Sequence, residues 1–252
     1  MKTKRIGSYH WMQATNGQLS FKEKVKLIQK IMLPSVKASI KINYFRFKTS
    51  SDFDIDQIVI PDTQMVKVAL DELEAKADIS IYNHSWRTYF WGAALGHIQK
   101  QQFDDELLLI ASLFHDIGLT EQHIHSKGCN CFTYESAKQF ELKAKEHSFD
   151  EKKSGVIKDA ICLHMNGYID HSDPAEITLL QQGASCDVIS DGLYRLPVSF
   201  RNEILEKYPR KQFNKEFIEL VNLESKNVPN SRTSLLSSLG LPLMIKSNLF
   251  KE

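Results

Sequence analysis

Along this chain, apolar positions recur at helical spacing far more often than they alternate. From IPDT at residues 60–63 onward the pattern predicts one helix after another. Asp62 or Thr63 caps a helix through MVKVALDELEAKA. The next begins near Asn83 and runs HSWRTYFWGAALGHIQ. Asp104 and Asp105 then open a helix, placing negative charge at its positive dipole end, and Gly118 stands as its C-terminal residue. FTYESAKQFELKAKEH gives another, and DEKKSGVIKDAICLHMNG one more, ending at Gly167. In SDPAEITLLQQGASCDVISDG, Asp173 is the N-cap, with Pro174 and Glu176 in the first turn and Gly192 at the far end. FRNEILEKYPR and FNKEFIELVNLE complete the series. Only INYFRF and IDQIVI alternate like strands, so the expected fold is all-α.

Residues 1–58 differ from the rest and read as an N-terminal extension, with the main domain over 59–252. The extension holds a basic amphipathic stretch, FKEKVKLIQKIMLPSVKASIK, expected as a helix that stops near Pro34. A packing arm or cap on the main domain is its expected role.

Composition narrows the class. Of 252 residues, 42% are hydrophobic, enough for a real core. Lys+Arg number 32 and Asp+Glu 31, so the formal net charge of +1 gives no global case for nucleic acid or an anionic membrane. No apolar stretch approaches the ~20 residues that span a bilayer. The basic start, MKTKRIGSYHWMQATNGQ, lacks the apolar core of a signal peptide. Cys129, Cys131, Cys162 and Cys186 are too scattered for a disulfide framework. A cytoplasmic protein with reduced thiols is expected, and homo-oligomerisation stays open.

The chemistry begins where the greasy run LLLIASLF meets His115 and Asp116. Neighbours on a helix point ~100° apart, but at a helix end both side chains can lean toward one point. A neutral imidazole and a carboxylate suit a divalent cation; a helix cap is the plainer alternative. His84 lies in NHSWRTYFWG, and Asp187 sits deep in the apolar LLQQGASCDVIS. A carboxylate in such company is costly unless paired, and a shared cation pairs it. Two nitrogens and two oxygens would leave positions open for water.

This arrangement resembles the HD-domain superfamily of metal-dependent hydrolases, marked by a distant His, an adjacent His-Asp pair and a later Asp. The stretches IPDT, NHSWRTYFWG, FHDIGLT, FTYESA, AICLH and GASCDV, with LP and YPR after them, look like the branch that includes cyanamide hydratase. The likeness runs from about residue 58 to about 230. It implies a helical bundle with a metal site between helices, and it maps His84, His115, Asp116 and Asp187 onto the ligands of one divalent ion. Zinc or iron suits such a set first, manganese or nickel next. The implied activity is hydrolysis or hydration of a small cyanamide-like, nitrile-like or ester molecule by metal-bound water or hydroxide.

Many phosphohydrolases of the superfamily carry a basic residue after HDIG, where this chain has Leu119. That turns the expectation from a phosphomonoester or nucleotide toward a less charged substrate. A non-catalytic binding or regulatory module on the same fold is the third alternative.

His164 shares a helical face with Ile157 and Ile161. It is either a satisfied core histidine or a base beside the metal water. Arg87, one turn from His84, can bind substrate or orient a ligand carboxylate, and a surface ion pair is its ordinary role. Asp191 reads as a solvated end residue rather than an alternative ligand. Trp86, Tyr89, Phe90 and Trp91 read as core, with one or two lining a pocket. In HIHSKGCNC, His123, His125, Cys129 and Cys131 are spaced more tightly than a zinc finger; the stretch reads as a loop, a lid or a second zinc site.

Overall fold

The computed structural model describes residues 5–44, 53–120, 130–250 and 252, with the side chains of 33–44 excepted. His123, His125 and Cys129 lie outside the described residues, as do residues 45–47 of INYFRF. Among the described residues there is no strand. Residues 55–57 of IDQIVI make a single 3-10 turn, and Asn43 and Tyr44 of the other candidate end a helix.

The first two helices are α1 (Tyr9–Thr15) and α2 (Phe21–Tyr44). The second runs through Pro34, where the sequence pattern ends it. A proline removes one ladder hydrogen bond, and with a turn and more of helix on each side the ladder resumes. Tyr9, Trp11, Met12, Leu19 and Leu27 join the same apolar cluster as the main helices.

Next come α3 (Gln64–Lys76), α4 (Ile79–Ile98) and α5 (Asp105–Phe114). Thr63 caps α3 by accepting from Val66 N, and Asp104 caps α5 by accepting from Glu106 N and Leu107 N. α4 starts at Ile79, a turn before Asn83, because Asp78 caps it without a side-chain bond and leaves little sequence trace.

α6 (Phe132–Glu146), α7 (Glu151–Leu163) and α8 (Ala175–Ile189) follow. α8 begins one residue later than the caps suggest: Pro174 is the N-cap, and Asp173 is drawn off to pair with Arg5. It ends at Ser190, whose left-handed φ of 60° does the work expected of Gly192. The remaining helices are α9 (Val198–Lys207), α10 (Phe213–Asn227), α11 (Arg232–Ser238) and α12 (Leu241–Lys246).

The most extensive helix pairing is α4 against α8. Glycines set its closeness. A Cβ on Gly183 would lie 2.2 Å from Thr88 O, and one on Gly92 would lie 2.8 Å from Leu179 O. With neither Cβ present the two backbones touch, which brings His84, Arg87 and Trp91 of α4 opposite Asp187 of α8.

Candidate metal centre

α5 stops at Phe114, and its last turn shows why the polar pair follows the apolar run. His115 keeps helical angles as the C-cap, while Asp116 departs to φ −112°, ψ 5° and starts a 3-10 turn, Ile117–Leu119. That change swings the carboxylate back toward the imidazole, and His115 Nε2 lies 3.3 Å from Asp116 Oδ2. Gly118 belongs to this turn and is not the left-handed end of α5. A Cβ there would lie 2.2 Å from Phe132 O, so glycine is needed for the close approach of α6.

His84 enters from α4. Its Nε2 is 3.2 Å from His115 Nε2 and 3.4 Å from Asp116 Oδ2. His164 enters from the end of α7, with Nε2 3.5 Å from Asp116 Oδ1. His84, His115 and Asp116 are fully buried. Their ligand atoms form a group able to hold a metal ion.

The tautomers follow from the partners. His115 Nδ1 is 2.7 Å from Ser112 O, and His164 Nδ1 is 2.7 Å from Ile161 O. A carbonyl only accepts, so both Nδ1 atoms donate. His84 Nδ1 lies 2.7 Å from Asp187 Oδ2 and donates as well. His115 and His164, kept neutral by burial, therefore turn bare Nε2 lone pairs toward Asp116, and His84 turns its Nε2 there as well.

Charge reinforces this. Burial alone would raise the Asp116 carboxyl, but His115 and His84 hold it below the usual carboxylate range. Burial, with His115 adding to it, pushes His164 down to about 3. Burial also lowers His115, against the pull of Asp116. Burial resists charging His84 too, yet its bonds to Asp116 and Asp187 outweigh it and raise that ring.

Such a cluster fits a cation. His84 Nε2 and His115 Nε2 stand 3.2 Å apart, close enough to share a proton or to ligate one cation. Asp116 Oδ1 is buried with no hydrogen-bond donor among the described residues. Two nitrogens and a carboxylate form a donor set for zinc, iron, manganese or nickel.

Asp187 is placed elsewhere. It stands behind His84, on the outer ring nitrogen, away from the converging donors. Besides His84, it accepts from Arg87 Nε and Nη2 at 2.8 Å each, from Trp91 Nε1 at 2.9 Å and from Arg210 Nη1 at 3.3 Å. An ionised carboxylate offers roughly four lone-pair sites, so these N–H groups saturate it. Burial would raise its carboxyl, but Arg87 and Arg210 hold it well below the usual range. It orients His84 much as a supporting carboxylate orients a metal-bound histidine. Arg87 is correspondingly committed, since it also donates to Tyr208 O at 3.1 Å and Pro209 O at 3.3 Å and lies over the Phe213 ring. Asp191 is exposed. Cys131 is buried as the N-cap of α6.

Sequence reasoning missed the cover. Phe213 of α10 stacks on His84 at 4.5 Å between centroids, and Phe217 lies 5.7 Å from the same ring. Leu119 and Phe132 belong to the same apolar cluster. Glu224, further along α10, accepts from Phe132 N at 3.0 Å. Burial, reinforced by Glu135 and opposed by that N–H, pushes its carboxyl from 4.5 up to about 7. A carboxyl raised on folding gives stability that is complete below 4.5 and lost as pH rises through about 7. Glu224→Gln keeps an acceptor and cannot ionise. Its melting temperature should gain on the wild type as pH goes from 4 to 8, and parallel curves would refute this.

Residues 81–186 match the family model of the HD domain, a segment that begins in the first turn of α4 and ends one residue before Asp187. The match supports placing that segment in the HD-domain superfamily, in keeping with the helical fold and with His84, His115 and Asp116 as a group that could hold a metal. No curated protein matches the chain. Among the described residues, no helix is long and apolar enough to cross a membrane.

Proposed function

We propose that the protein is a metal-dependent hydrolase or hydratase of the cyanamide hydratase-like branch, acting on a small, weakly charged molecule: a cyanamide, a nitrile or an ester. One observation carries this reading. Two histidine Nε2 atoms and an ionised carboxylate converge beside the stacked rings of Phe213 and Phe217, and the nearby guanidinium groups of Arg87 and Arg210 are spent on Asp187.

His84, His115 and Asp116 would hold the ion. A divalent cation so held lowers the pKa of a bound water from 15.7 toward ~7 and polarises an electrophile. The chain's own groups do the rest. Asp187 fixes the His84 ring, and the Ser112 carbonyl fixes His115. His164 stays neutral and presents Nε2 beside Asp116 Oδ1, where it could accept a hydrogen bond from a water or substrate group and orient it. The aromatic cover excludes bulk water and favours an uncharged substrate over a phosphate.

Elemental analysis of protein purified without an affinity metal column, followed by a panel of cyanamide, nitriles, simple esters and phosphomonoesters, tests the reading. Stoichiometric metal and turnover of a neutral substrate are expected. Metal-free protein, or turnover confined to phosphomonoesters, would overturn it; a metal-free protein that still binds a ligand would point to a regulatory module.

A further inference from the structure

His164 does not sit within a regular helix. α7 ends at Leu163, a 3-10 turn runs His164–Asn166, and Gly167 follows at φ 71°. The end of a helix leaves its last carbonyls without intrahelical donors. Here three successive carbonyls are taken by three different side chains. Ile161 O accepts from the His164 ring itself at 2.7 Å. Leu163 O accepts from Gln181 Nε2 of α8 at 2.8 Å. Cys162 O accepts from Arg232 Nη1 of α11 at 2.5 Å.

Arg232 is an unusual donor. It is fully buried, and its bonds go to neutral acceptors: Cys162 O, Asn166 Oδ1 at 2.6 Å and Thr133 Oγ1 at 2.7 Å. A buried cation is costly, so its retention there calls for a reason. Its contacts bracket the turn, with Cys162 on one side of His164 and Asn166 on the other. Asn166 Nδ2 in turn donates to Ile6 O at 3.1 Å. Gly7 seals the cluster: at φ +87° it packs so closely that a Cβ would fall 2.2 Å from Asn166 Oδ1 and 2.7 Å from Arg232 Nη1.

We infer that Arg232 is the positioning residue of His164, a buried clamp closed by the N-terminal loop at Ile6–Gly7, which holds the imidazole beside the metal centre without touching substrate. If Cys162 O lost its guanidinium, the turn would be free to relax toward continued helix, and the ring would leave its place. The N-terminal extension thereby completes the support of a group in the site. Gln181 of α8 also holds the turn, donating to Leu163 O and, at 3.1 Å, to Tyr168 O.

This inference rests on the proposed role of His164, so its test needs a readout independent of turnover. Arg232→Ala and Arg232→Lys are compared with Gln181→Ala and wild type, all as full-length protein. Long-range ¹⁵N–¹H NMR of the histidine rings reports whether His164 remains a single Nδ1–H tautomer. Zinc titration reports the ion site. Arg232→Ala should lose the discrete His164 signal while zinc affinity stays within a few-fold. With a turned-over substrate, kcat should fall about tenfold with little change in KM, as expected when a group that orients the reactants is misplaced. Millimolar guanidinium should restore both signal and rate. If Arg232→Ala does not fold, Arg232→Lys and Gln181→Ala must show the same shift in milder form. An unchanged His164 signal in every variant, or a rate loss accompanied by zinc loss and not rescued, would overturn the clamp. Absent turnover or metal in the wild type would sink the proposed function instead, and the NMR comparison would still decide the clamp.

Discussion

His115→Ala should empty the metal centre while leaving the fold standing. The side chain supplies one of two converging imidazole nitrogens, and its Nε2 lies 3.3 Å from Asp116 Oδ2. Its loss should cost more than the ~10–100-fold that a supporting partner is worth. The effect on the metal-free protein should be small, because the truncation also removes a lone pair crowded against His84 and Asp116. The two forms separate in a melting experiment. A ligand at 1,000 times its Kd stabilises the folded state by about 4.1 kcal/mol. Wild type should therefore gain several degrees on addition of zinc or manganese, and His115→Ala should gain nothing. A variant that melts higher with metal, as wild type does, would remove His115 from the site.

Asp187 should give the largest loss of stability. Removal of the carboxylate leaves Arg87 and Arg210 buried beside each other with no anion between them. Breaking a buried pair in this way costs about 3–5 kcal/mol, so Asp187→Ala should be barely folded. Asp187→Asn is the informative change. It keeps volume and one acceptor oxygen, and it turns an amide N–H toward groups that already donate. The protein should fold with a lowered melting temperature, and metal affinity should fall about 10–100-fold through a loosened His84 ring. Complete loss of metal from a well-folded Asp187→Asn, measured by equilibrium dialysis, would show the carboxylate to be a ligand after all.

Much of the helical layout is written in local pattern. Thr63 and Asp104 cap where their side chains suggest, because a hydroxyl or carboxylate beside an apolar-periodic run has one good use. The short helices α1, α11 and α12 hold too few turns for a period to show. Pro34 misleads because a long helix survives one missing donor.

The site divides in the same way. His115 and Asp116 are legible as ionisable residues ending a run that has no other reason to tolerate them. The burial of Asp187 is legible too, since its neighbours are apolar. Its partner is not. Whether a buried carboxylate meets a metal ion or a guanidinium depends on Arg87 and Arg210, which look like surface arginines until the helices are packed. The same blindness hides Arg232, Gln181 and Phe213, whose importance comes from distant segments meeting. YPR carried a trace of Arg210, as part of a resemblance with no role attached.

The depth of the centre has a practical outcome. With His84, His115 and Asp116 fully buried and roofed by stacked rings, an ion seated there trades with the surroundings only when that roof breathes. Chelators would then strip it slowly at any concentration. The metal found in a preparation would record what the cell offered while the chain was folding, so growth medium belongs among the variables when batches are compared.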